Sequence, residues 1–181
     1  SAEDQLKTVL YTIRKGKSLG FNGIRLVTDN RSVNVVTMKH LCGGQLPPVI
    51  QHPVEPDKPL FLSFNYCHIL KNVHSQFLDR DLGPSEEISS SCIKNIHEIQ
   101  KGSSVKPVRG LTQKHLYPNN LEKMNVGRAV QIFAPPVTAA LEFHHKEAGF
   151  SCNLSFGLVH PTVTFMKHIY AWFLMSDTKQ L

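Results

Sequence analysis

Long apolar runs are missing from this 181-residue chain. No stretch approaches the ~20 residues that a membrane-spanning helix needs, so no membrane partner is expected. Cysteine is sparse and scattered: Cys42, Cys67, Cys92 and Cys152 form no C-x-x-C pair, and their wide spacing excludes a dense disulfide framework. They read as reduced thiols of an intracellular protein, with no signal peptide ahead of them. The N-x-S sequons at Asn30 and Asn153 then read as chance matches. No zinc spacing is present: ten histidines occur without an H-x-x-x-H pair, and the adjacent His144 and His145 point to different sides of a helix. They read as core or surface histidines, and no metal ligand set is assigned. Gly16-Lys17-Ser18 has the ending of a phosphate loop, but the required glycine five positions earlier is Tyr11, and a helix precedes it rather than a strand. An N-K-x-D guanine-reading motif is absent too. There is also no initiator methionine; residue 1 is Ser, and the chain is expected to be a fragment.

What is present is a foldable composition with a basic surplus. A hydrophobic fraction of 41% with 19% charged residues excludes a disordered polyelectrolyte. The net charge of +6 is uneven: residues 1–90 carry +1 and residues 91–181 carry +5. Most of the excess lies in Lys94, Lys101, Lys106, Arg109, Lys114, Lys123 and Arg128, opposed in that stretch by Glu98 and Glu122. A basic segment of this kind attracts phosphates, of a nucleotide or of nucleic acid, or else forms a solvated face.

Periodicity divides the chain. Leu6, Val9, Leu10 and Ile13 predict a helix over 3–15, ended by Gly16. Residues 24–28 predict a strand ending at Asp29, and Ser32 is read as the N-cap of a helix over 33–41, stopped by Cys42-Gly43-Gly44. The proline-rich stretch 45–58 reads as a loop, 59–65 as a strand, and 67–79 as a helix. This alternation predicts an α/β layer with parallel strands. Residues 81–91 read as a linker. Beyond it only helices are expected, at 90–100, 119–133, 136–147 and 161–176, with Pro135-Pro136 separating two of them.

Two places carry chemistry. Asp29 stands at a strand end, where α/β sheets present reactive groups, or else caps its own turn. In Phe64-Asn65-Tyr66-Cys67-His68-Ile69-Leu70-Lys71-Asn72, Asn65 sits at a strand's C-terminal end with His68 and Lys71 just after it. A carboxylate at 65 would make a metal ligand; the neutral amide makes a weak one.

This phrase resembles the F-D-x-x-H-L-L-K-N phrase of P-element-type DNA transposases, including the THAP-domain transposase-like proteins. Gly23-Ile24-Arg25-Leu26-Val27-Thr28-Asp29 with Asn34 is similar to that family's G-x-x-V-x-x-V-x-D strand and following Asn. Leu111-Thr112-Gln113-Lys114-His115, Lys123-Met124-Asn125-Val126 and Ala129-Val130-Gln131 are similar to its K-L-T-x-x-H and M-x-V-x-x-A-x-Q segments. The resemblance implies a ribonuclease H-like α/β partial domain over 1–82 and a mainly helical, partial GTP-binding insertion domain over 88–181. It implies DNA as a partner, Mg2+ and GTP as the family's cofactors, and DNA cleavage and joining by two Asp and one Glu that hold metal.

Carried over residue by residue, that set is incomplete. The first Asp is expected ahead of residue 1, the second maps to Asn65, and the Glu is expected beyond Leu181. Of the nucleotide positions, the K-L-T lysine maps to Gly110 and a serine maps to Ala134, while Asn125 and Val126 match by place, with the Val retained. Lys101, Lys106, Arg109, Lys114, Lys123 and Arg128 are the phosphate or nucleic-acid candidates. The expectation is a catalytically inactive transposase segment, nuclear, or alternatively a non-catalytic module that binds nucleic acid or guanine nucleotide. The sequence leaves the oligomeric state open.

Overall fold

The computed structural model describes residues 1–102, 104, 106, 108–147 and 159–177; Cys152 and Asn153 lie outside the described residues. Two compact units are present, Ser1–Ile69 and Leu70–Leu181.

The first unit begins with α1 (Ala2–Ser18), capped by Ser1 and Asp4. It runs straight through Gly16, where a break was expected: one glycine costs a helix only ~1 kcal/mol, and a Cβ there would meet nothing. Gly16-Lys17-Ser18 is therefore a helix end, with Lys17 bound to Asn22 and Glu55 at 2.9 Å each. Next come β1 (Arg25–Thr28) and α2 (Ser32–Leu41), whose N-cap is Arg31 rather than Ser32. β2 (Val49–Gln51) and β3 (Pro59–Phe64) follow.

The sheet order is β1-β3-β2. β1 pairs with β3 in parallel, Arg25 opposite Phe61, as the helical crossover predicts. β2, in the stretch expected to be only loop, pairs with β3 antiparallel, so the two parallel strands expected belong to a mixed sheet. The β2–β3 turn is organised by buried His52, whose Nδ1 accepts from the N–H groups of Val54 and Glu55.

α3 (Tyr66–Asp79) leads into the second unit, which continues with α4 (Ser91–Lys101), α5 (Gln113–Leu116), α6 (Val126–Phe133), α7 (Pro135–Glu147) and α8 (Val159–Ser176). The linker expected at 81–91 is tied down. Leu82 and Ile88 form a bridge, and the Ser89 N–H donates to Thr162 Oγ1 of α8 at 3.0 Å. Gly83 has φ +94°, a conformation that side chains with a Cβ rarely adopt, so this turn favours glycine.

The helix expected over 119–133 is interrupted. A 3-10 turn (Glu122–Met124) ends at Asn125, whose Oδ1 accepts from the Arg128 N–H and caps α6. Ala134, before Pro135, is extended, and α7 starts at the proline. The core of this unit gathers Phe77, Phe133 and Phe165, with ring centroids 5.6–6.2 Å apart, around Ile93, Ile96, Ile132, Leu141 and Met166. Among the described residues no helix is long and apolar enough to cross a membrane.

Candidate functional site

Two places bring sequence-predicted residues together, one in each unit. In the first unit the parallel pairing of β1 and β3 sets Asp29 and Asn65 at neighbouring strand ends, where the Asn65 N–H donates to the Thr28 carbonyl at 2.7 Å. Asp29 acts locally. Its Oδ1 accepts from the Arg31 N–H at 3.1 Å and from Asn34 Nδ2 at 2.6 Å, while Arg31 Nε lies 3.4 Å from Oδ2. The Arg31 backbone donor, helped by Asn34 and by the charges of Arg31 and His68, holds this carboxyl below its usual range.

Asn65 Oδ1 accepts from the N–H groups of Cys67 and His68, at 3.0 and 3.3 Å, and so caps α3. The one oxygen of its side chain is engaged at the helix end, and the amide brings no charge. Asp29 and Asn65 therefore do not fit a divalent ion, which calls for hard, anionic oxygen donors. Among the described residues no group of three or more His, Cys, Asp or Glu converges on one point.

In the second unit a cavity of about 250 Å³ opens between the loop 108–111 and the junction of α6 with α7. Its walls include Val108, Leu111, Pro136 and Val137, and its polar groups are Arg109, His115 and Gln131. Gly110 and Ala134, far apart in sequence, both line it; Asn125 and Val126 do not. The loop is anchored by buried Gln100, whose Oε1 accepts from the Val108 N–H at 2.8 Å, and by a turn bond from the Leu111 N–H to the Val108 carbonyl. Gly110 opens on free space, so packing does not exclude a longer side chain there.

On one side of the cavity Thr112 caps α5. The Thr112 N–H (3.2 Å) and hydroxyl (2.9 Å) reach His115 Nδ1, and His115 Nε2 lies 2.6 Å from Gln131 Oε1. Both residues stand within the phrases quoted from the sequence, yet neither was singled out. The T-x-x-H cap was the available signal, and no periodicity joins it to Gln131.

The basic candidates are largely engaged. Lys101 pairs with Glu98 at 2.8 Å, Lys123 with Asp79 at 3.0 Å, and Glu122 lies 3.8 Å from Lys114 and 3.5 Å from Arg128. Lys94 donates to the Leu78 carbonyl and lies over the Tyr117 ring. Lys106 and Arg109 have no carboxylate partner among the described residues, and Arg109 is at the cavity.

Comparison with known proteins locates these features. The family model described as "TNP-like, GTP-binding insertion domain" matches residues 67–181, the region that contains the cavity. The solved structure of the Drosophila P element transposase strand transfer complex is similar over 92% of this chain, with a TM-score of 0.77 and 19% identity. At that identity the likeness is one of fold, and this chain spans 37% of that one. No curated protein matches it in sequence.

Proposed function

The chain belongs to the transposase-like family that carries a GTP-binding insertion domain, and we propose that it is a P-element-type transposase segment that has lost strand cleavage and kept a guanine-nucleotide pocket. In this reading residues 1–82 are ribonuclease H-like and residues 88–181 are the insertion. The observation that carries the nucleotide half is the meeting of Gly110 and Ala134, both nucleotide positions by resemblance, in the cavity of the family-matched region.

The cavity lacks the lysine and the serine of the resembling family. Arg109, one residue before Gly110 and free of carboxylates among the described residues, supplies a cation at the same wall. Its volume is below the ~300–1,000 Å³ of pockets that enclose a drug-sized ligand, so it would take a base and sugar and leave the phosphates outside with Arg109. The loss of cleavage is supported by Asn65, whose oxygen caps a helix and whose amide adds no charge for a metal ion.

The test is a titration of the purified chain with fluorescently labelled GTP, beside a cleavage assay on labelled DNA with Mg2+ or Mn2+. Saturable GTP binding without cleavage is expected. Metal-dependent cleavage would remove the inactive half of the proposal, and absence of GTP binding the other half. Duplex DNA is a weaker proposal, because four of the six basic candidates already face carboxylates. DNA affinity that falls steeply between two salt concentrations would restore it.

A further inference from the structure

The hydrogen bonds around His115 fix which groups the cavity offers to a ligand. His115 Nδ1 receives the Thr112 backbone N–H, which cannot reverse its role, so Nδ1 is the unprotonated nitrogen. The neutral ring then carries its proton on Nε2 and donates it to Gln131 Oε1 at 2.6 Å. Gln131 is thereby oriented: its oxygen is turned to the buried imidazole, and the amide nitrogen with two N–H donors is the end left for a ligand. Gln131 is exposed and lines the cavity, and no partner for its amide nitrogen occurs among the described residues.

A freely rotating glutamine reads adenine well, accepting from N6 and donating to N7. A glutamine held as a donor loses that option. Guanine presents two acceptors, O6 and N7, on the same edge, whereas adenine sets an amino group against the donor.

We propose that Gln131, positioned by His115, selects the base held in this cavity, favouring a purine with a two-acceptor edge of the guanine class over one of the adenine class. The inference rests on the nucleotide reading given above. Arg109 acts on the phosphates of either nucleotide and does not discriminate; the choice of base falls to Gln131, whose oxygen is engaged by His115 and whose amide nitrogen is the end left for a ligand.

The experiment compares labelled GTP and ATP on the 181-residue chain and on three variants. Gln131→Glu keeps an acceptor for His115 but removes the donors, and Gln131→Met removes both without adding charge. The GTP:ATP affinity ratio should fall roughly tenfold or more in each, the discrimination expected of a well-placed base contact. His115→Phe frees the amide to rotate, so the ratio should move toward one through a gain in ATP affinity, which a merely structural defect would not produce. A wild-type preference for GTP that persists unchanged in both Gln131 variants overturns the inference and leaves nucleotide binding standing. Wild-type protein that binds neither nucleotide removes both. If circular dichroism shows His115→Phe unfolded, the exposed Gln131 positions decide the matter alone.

Discussion

Residues Ser1–Ile69 contain two helices and a three-stranded sheet, yet of their apolar side chains only Met38 and Leu60 are buried among the described residues. Tyr11, Phe21, Ile24, Val27, Val49 and Phe61 stand exposed there, Phe21 at 70%. Leu70–Leu181 reverses the proportion: Phe77, Cys92, Ile93, Ile132 and Leu141 are all at 0% exposure. The first unit is held by ladder bonds, caps and side-chain bonds such as Lys17 and Lys58 on Glu55; the second is held by area removed from water. Hydrogen exchange should therefore be slower in α4, α6 and α8 than in α1 and β1.

The contrast breaks most severely at the aromatic cluster. Phe77→Ala should cost ~3–5 kcal/mol, read as a lower urea midpoint and as accelerated exchange in α4, α6 and α8 with α1 unchanged. Equal acceleration in both units would show that they unfold together.

His74 comes next. It is at 1% exposure, and neither ring nitrogen has a side-chain or backbone partner at hydrogen-bond geometry among the described residues. Burial pushes its pKa down to about 4. Above the ordinary histidine value neither state holds the proton. As pH falls below it, the unfolded chain takes up a proton that the folded chain refuses until about 4, so stability is lost across that window. The loss is roughly 3 kcal/mol at full extent, and His74→Leu should flatten the urea midpoint between pH 6.5 and 4.

In the first unit the expected effects are smaller. Asn65→Ala should cost about 1 kcal/mol through the lost cap, measurable as a fall in melting temperature. Glu55, held at about 2 by hydrogen bonds from Lys58 and then Lys17, contributes stability that is present above the ordinary carboxylate range and lost as pH falls toward 2. Glu55→Gln should therefore bring the smallest change, and only at neutral pH, in a thermal melt repeated near pH 2.

Much of this was legible in the sequence, for reasons tied to local chemistry. The alternation of apolar residues gave α1, α3 and α4 within a few residues, and Asp29 proved to be the turn cap that its position allowed. β2 was hidden because Val49-Ile50-Gln51 lies between prolines and gains its conformation only from pairing with β3. The expected single helix over 119–133 ignored Asn125, whose short side chain competes for the Arg128 N–H and starts a new helix. The cavity could not be read at all. Gly110 and Ala134 meet through the packing of loop 108–111 on the α6–α7 junction, and the His115–Gln131 bond is likewise tertiary.

The cap at Asn65 bears on how such a chain can change over time. Asp and Asn are about equally good at the start of a helix, because each offers one oxygen to the same two N–H groups. An exchange between them at position 65 leaves the fold indifferent while it adds or removes the charge a metal ion would need. On the proposed reading, foldability and chemistry would be under separate control at this residue: one nucleotide-level change would silence the second without being felt by the first. Asn65→Asp is the reverse step: a melting curve would miss it, and its charge alone, with no converging group of ligands among the described residues, does not make a metal site.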